Sequence, residues 1–253
     1  MTAAPEDSES LAYVFAGRIF PERCAVWLAK RGGSFRASDS SWEGTLEFQV
    51  SLSQVVCVLK VKSEVSDLRK MKTSLQWLIQ NEVNALIYLS GNAYDVELTT
   101  CLRPDGEMVV FGVGVDAITQ SESERPFDLE KVLELAHKHR PVTLALADLR
   151  RALQEPVDTH LACFRAIESM RQHFADGVTV AQSWETMRTA LRFERSYIKL
   201  FEDKAIARRH GELPFSAIDG AERETMLLRT WKLFDRFLLH LFGASLDEAE
   251  TLQ

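Results

Sequence analysis

The spacing of apolar residues changes once along the chain, and that change constrains the fold more than any motif. From Leu11 to about Asp116 the pattern is that of strands. LAYVFAGRIF, CAVWLA, TLEFQVSL and VVCVLKV are short runs rich in β-branched and aromatic residues, which suit a pleated, half-buried surface. In TLEFQV the alternation is explicit: Leu46, Phe48 and Val50 fall on one face and Thr45, Glu47 and Gln49 on the other, as a sheet with one solvated side requires. Arg31-Gly32-Gly33-Ser34 reads as a turn, and Arg103-Pro104-Asp105-Gly106 as a tight turn between VELTTCL and MVVFGVGV. One helix interrupts the strands. Ser66-Asp67 caps it, Leu68, Met71, Leu75, Leu78, Ile79, Leu86 and Leu89 follow at helical spacing, and Gly91-Asn92 stops it.

Past a polar stretch, AITQSESERP, the spacing becomes helical throughout. Asp128 opens a helix through His139, Asp148 to Gln154 forms a short one ended by Pro156, and Asp158 opens HLACFRAIESMRQHF, closed by Asp176-Gly177. Ser183 begins a long helix through WETMRTALRFERSYIKLFEDKAIARRHGE, and Ala221 to Phe242 makes the last. In that last helix Met226, Leu227, Trp231, Leu233, Phe234, Phe237, Leu238, Leu241 and Phe242 cover more than one stripe, the pattern of a central, buried helix. The fold class is therefore α+β. A disordered tail at 1–10 precedes an antiparallel sheet domain with one packed helix at 11–116; a linker at 117–126 leads to an α-helical bundle at 127–246.

Charge narrows the function. With 30 Lys+Arg against 37 Asp+Glu the formal net charge is −7, so no global positive field gathers nucleic acid or an anionic membrane, and such binding has to be local. No apolar run approaches the length of a membrane span, and the acidic start is not a signal peptide. Cys24, Cys57, Cys101 and Cys163 lie far apart, which reads as buried, reduced thiols in a cytoplasmic protein. There is no phosphate loop, dinucleotide fingerprint, nucleophile elbow or zinc-protease pair. His137 and His139 point apart on a helix, and His160 with Cys163 lacks a second pair. The sequence calls for no metal and no cofactor.

What gathers is cations. Arg188, Arg192, Arg195 and Lys199 repeat at spacings of four, three and four along the long helix, so a continuous helix puts them on one face. Met187 to His210 holds seven Lys/Arg against three acids, a local +4. Such a stripe is either a phosphate-backbone track or a solvated face with stems packed over apolar neighbours. The helix ends in Arg208-Arg209-His210-Gly211. That ending is a dipole-compensated terminus with a glycine cap, or a general acid/base histidine beside guanidinium groups that stabilise developing charge. Arg165 and Glu168, three apart in FRAIESM, form a surface pair or reach across to support the Arg209/His210 end.

An R-A-I-E helix, a long helix ending in A-R-R-H-G and a final apolar helix resemble the C-terminal part of bacterial proteins with HEPN-like domains. They also look like uncharacterised bacterial proteins related to methylamine-utilisation accessory proteins. The resemblance covers about residues 157–245. It implies an RNA-associated bundle that forms a homodimer and, in many such proteins, metal-independent ribonuclease activity from an Arg followed by four to six residues and then a His. Counting back from His210, those positions are Asp203, Lys204 and Ala205, so Lys204 takes the cation's place and His210 the histidine's, with Arg208 and Arg209 on phosphate. Three readings stand at this point. One is a HEPN-like RNA-associated module or ribonuclease of a stress or defence system. Another is a non-enzymatic binding or accessory protein whose cationic stripe meets RNA or an acidic protein partner. The last places a small ligand under the Leu68–Leu89 helix, with the bundle serving only to dimerise.

Overall fold

The computed structural model describes residues 10–36, 42–112, 114–120, 125–209, 220–246 and 250–253, without the side chains of residues 120 and 207–209. It comprises two compact units, one ending at Gly112 and one built from described residues beyond it. Each has a separate apolar core.

The first unit is a six-stranded antiparallel sheet of β1 (Leu11–Phe20), β2 (Leu28–Arg36), β3 (Glu43–Ser51), β4 (Gln54–Val61), β5 (Asp95–Leu102) and β6 (Met108–Val110). The strand order is β2-β3-β4-β1-β5-β6, so β1 lies inside the sheet. The alternation expected in β3 is present, with Leu46, Phe48 and Val50 buried and Thr45, Glu47 and Gln49 exposed. The helix α1 (Leu68–Ser90) crosses the apolar face. Asp67 caps it by accepting from the Lys70 N–H at 2.9 Å, and Gly91 ends it at φ 69°, the left-handed conformation glycine adopts without penalty. Its Met71, Leu75, Ile79 and Val83 have no exposed surface. That filled interface leaves the small-ligand reading no space along these residues.

α1 also protects an open strand edge. Among the described residues the first half of β5 has no strand partner beyond it, because β6 pairs only with Thr100 to Leu102. The side-chain oxygens of Gln80 and Gln76 accept from the Val96 and Leu98 N–H groups at 2.7 and 3.0 Å, satisfying donors that an open edge would offer to another chain. The Arg103–Gly106 turn forms as expected, with Gly106 at φ 88°. The turn expected at Arg31–Ser34 does not form. β2 runs straight through it, pairing Arg31 with Phe48 and Ser34 with Thr45. A Cβ on Gly32 would stand 2.7 Å from the Leu46 carbonyl oxygen, so that glycine serves close strand approach rather than a reversal.

The second unit contains α2 (Asp116–Gln120), α3 (Leu129–Lys138), α4 (Arg140–Gln154), α5 (Thr159–Arg171), α6 (Val180–Leu191), α7 (Arg195–Arg209) and α8 (Gly220–Phe242). α2 thus lies in the polar stretch read as a linker, and Arg125, further along it, pairs with Asp235 of α8 at 2.8 Å. Burial corrects the expected order of centrality. α5 packs against α4, α6, α7 and α8 and buries most of its residues, Thr159, His160, Ala162, Cys163, Phe164, Ala166, Ile167, Met170 and Arg171, leaving one face around Arg165 and Glu168 open. α8 buries a broad face but leaves Leu228 and Phe242 exposed. The apolar count of α8 exceeds that of α5, yet small residues at Ala162, Cys163 and Ala166 let neighbours close on α5 from several sides.

Candidate functional site

The cationic stripe does not lie along one helix. Its helix breaks at Arg192, which takes φ 53° and ψ 59°, ending α6 in a left-handed residue before α7 begins at Arg195. No glycine or proline marks this break, and left-handed geometry at a residue with a Cβ costs roughly 1–2 kcal/mol. Tertiary hydrogen bonds offset it. Arg236 of α8, 8% exposed, donates to the carbonyls of Leu191 and Arg192 at 3.1 and 2.7 Å. The Glu194 N–H donates to the Leu252 carbonyl at 2.8 Å.

The break changes what the arginines can do. Arg188, Arg192 and Arg195 line one open depression of about 480 Å³ together with Glu185, Glu194 and Thr251. The amino end of α7, which begins at Arg195, brings its positive dipole end to the same place. Arg188 is ion-paired with Glu185, whereas the buried Nε of Arg192 has no hydrogen-bond partner among the described residues. Guanidinium groups around a helix amino end form an arrangement suited to a phosphate or carboxylate. Lys199 is exposed on α7 and does not line the depression.

The expected catalytic pair fares differently. His210 and the side chains of Arg208 and Arg209 lie outside the described residues. Lys204 is ion-paired with Glu222 of α8, which neutralises the charge proposed to act on phosphate. Arg165 is half-exposed and shares Asp148 of α4 with Arg151, at 3.4 and 3.2 Å, so its visible role is to join α5 to α4. Glu168 is half-buried on α5. Burial pushes the Cys163 thiol up to about 12 and the Cys57 and Cys101 thiols up to about 12 and 11, which keeps them un-ionised near neutral pH.

One cluster escaped the sequence reading. His139 between α3 and α4, His173 in the turn after α5, and His240 near the end of α8 meet edge to face, with ring centroids 5.9 and 5.8 Å from that of His173. Phe174 and Phe237 complete the stack. No local signal links these residues, which come from three separate parts of the chain. Among the described residues no group of three or more His, Cys, Asp or Glu is arranged to hold a metal ion. The cluster is therefore aromatic packing with a titratable edge. Burial lowers the pKa of His173, with the neighbouring His240 and His139 adding to the effect, and burial also lowers that of His240.

A histidine whose folded pKa lies below its unfolded value favours the native state at higher pH and loses that advantage as the pH falls from about 6.5 through the folded value. Acidification from about pH 7.5 to about pH 5 is accordingly expected to lower the melting temperature of the helical unit, followed by circular dichroism. His173→Gln is expected to flatten that dependence. An equal slope in the variant would place the acid sensitivity elsewhere.

Comparison with known proteins supplies a family. No curated protein and no solved structure matches the chain. Residues 13–111 match the N-terminal domain and residues 129–241 the C-terminal domain of a single family, the domain of unknown function DUF8168, whose two parts fall within the sheet unit and the helical unit. With both domains present in order and covering most of its length, the chain belongs to the DUF8168 family.

Proposed function

We propose that the helical unit is a non-enzymatic, RNA-associated binding module that holds a phosphate of its ligand between Arg188, Arg192 and Arg195. The observation that supports this reading is the convergence of these arginines on one depression beside the amino end of α7. Guanidinium forks match phosphate oxygens two at a time, which a lysine ammonium does not. The overall charge of −7 opposes diffuse capture of nucleic acid, so recognition rests on this local group. Binding without cleavage is the reading taken because Lys204, the residue in the cation's position, is paired with Glu222 of another helix and does not line the depression.

Fluorescence anisotropy with a labelled single-stranded RNA tests the reading. Wild type is expected to bind with a shallow salt dependence, a log–log slope no steeper than about −2, since each phosphate neutralised on a single strand contributes about −0.7. The double variant Arg188→Ala/Arg195→Ala is expected to lose roughly tenfold or more in affinity. Both side chains lie outside the apolar cores, so the variant tests charge rather than folding. Unchanged affinity in that variant overturns the reading. Cleavage of the probe in EDTA by wild type, abolished in His210→Ala, would instead establish a metal-independent ribonuclease.

A further inference from the structure

The arginine depression has one wall that comes from far along the chain. The segment at 250–253 lies against the α6–α7 junction: Leu252 donates its N–H to the Arg192 carbonyl at 3.0 Å and accepts from the Glu194 N–H at 2.8 Å. This makes a short parallel bridge between Phe193 and Leu252. The Leu252 side chain is 6% exposed, and Thr251 beside it lines the depression. Arg236 fastens both partners, donating to Leu191 and Arg192 on the junction and to the Glu250 carbonyl at 2.6 Å.

The residues at the break carry no instruction to break. TALRFERSYIKLF has neither glycine nor proline and reads as continuous helix. What holds Arg192 left-handed is the buried guanidinium of Arg236 and the backbone of Leu252. Without those partners the junction loses the bonds that oppose its local preference, and the three arginines lose the geometry that makes them one site.

We propose that residues 250–253 form a strap that assembles the anion site, so that occupancy of the site and docking of the strap are coupled. The inference rests on the binding reading above and adds its regulation. Any event that lifts the strap empties the site, and a bound phosphate in turn holds the strap down, because coupling between two equilibria is reciprocal. Arg236 is the positioning residue of this arrangement: it touches no ligand, and it orients Arg192 through the backbone.

The test uses the full chain and the same labelled RNA, with hydrogen exchange at the Glu194 amide as an independent report of docking. Leu252→Pro removes the N–H given to Arg192 without adding charge beside the arginines. It is expected to expose the Glu194 amide to exchange and to weaken RNA binding roughly tenfold, the loss anticipated when a site ceases to be pre-organised. Leu252→Met, which refills the buried place, is expected to restore both protection and affinity. In wild type, bound RNA is expected to slow exchange at Glu194. If Leu252→Pro loses protection at Glu194 yet binds RNA as wild type does, the strap has no part in the site and the inference falls while the binding reading stands. If wild type shows a protected Glu194 amide and no affinity for RNA, the binding reading fails and takes the inference with it.

Discussion

Alanine at Gly17 is expected to cost the sheet unit about 3 kcal/mol or more, the upper end of what overpacking does in a protein interior. A Cβ at this position would stand 2.0 Å from the Glu97 carbonyl oxygen and 2.7 Å from the Leu98 Cα. Both are backbone atoms of β5, so no side-chain rotation relieves the clash. β1 is held on its other side by β4, paired from Leu11–Val61 to Arg18–Gln54, and cannot simply move away. Room has to come from opening the β1–β5 ladder where its register shifts, between Ala16 and Gly17. That ladder carries Phe15 and Ile19 into the core against α1, and loosening it exposes apolar surface as well as backbone. Gly33→Ala is the control: nothing among the described residues lies within 4 Å of its added Cβ, and its expected cost is below about 1 kcal/mol. Urea unfolding followed by near-ultraviolet circular dichroism compares the two. Equal stability for the two variants would mean that the strands separate at no cost, contrary to the packing described.

The contrast between these glycines also shows where the sequence was legible. Features encoded within one element were readable: the alternation of β3, the Asp67 and Gly91 ends of α1, and the Pro-Asp-Gly turn at Gly106. Each is set within a few residues of sequence, by the two-residue period of a strand, by a capping carboxylate or by a glycine's freedom to take positive φ. Features set by distant partners were not readable. Gly32 looks like a turn residue until the carbonyl of Leu46 is placed beside it, and Arg192 looks helical until Arg236 and Leu252 take its carbonyl. The candidate site divides the same way. Spacing identified Arg188, Arg192 and Arg195 as a group; the reason they are a group is a depression at a helix break, not a shared helix face. Lys204 was singled out by its distance from His210, while its pairing with Glu222 of another helix left no trace in the spacing. The histidine cluster had no local signature, since its members belong to three elements and meet only through tertiary packing.

Phe237→Ala joins that cluster to stability and should register in two ways. The ring has no exposed surface and lies 5.7 Å from His173 and 6.2 Å from Phe174 between centroids. Truncating a fully buried phenylalanine leaves a void that the surrounding helices fill only in part, and the expected loss is about 3–5 kcal/mol. For a unit of this size that corresponds to a fall in melting temperature on the order of 15–20 °C. Phe242→Ala, at the exposed end of the same helix with the ring 53% accessible, is expected to cost far less. The second effect concerns protons. His173 is held below its ordinary value chiefly by burial, and the void beside it admits water. Its folded pKa therefore moves up toward the unfolded value, the difference in protons bound by the two states shrinks, and the stability lost on acidification from about pH 7 to about pH 5 becomes smaller. The variant is thus expected to be much less stable at neutral pH and less sensitive to acid than wild type. A stability loss with an unaltered pH slope would show that Phe237 supports the core without shielding His173, and that the depressed titration is maintained by His139 and His240 instead.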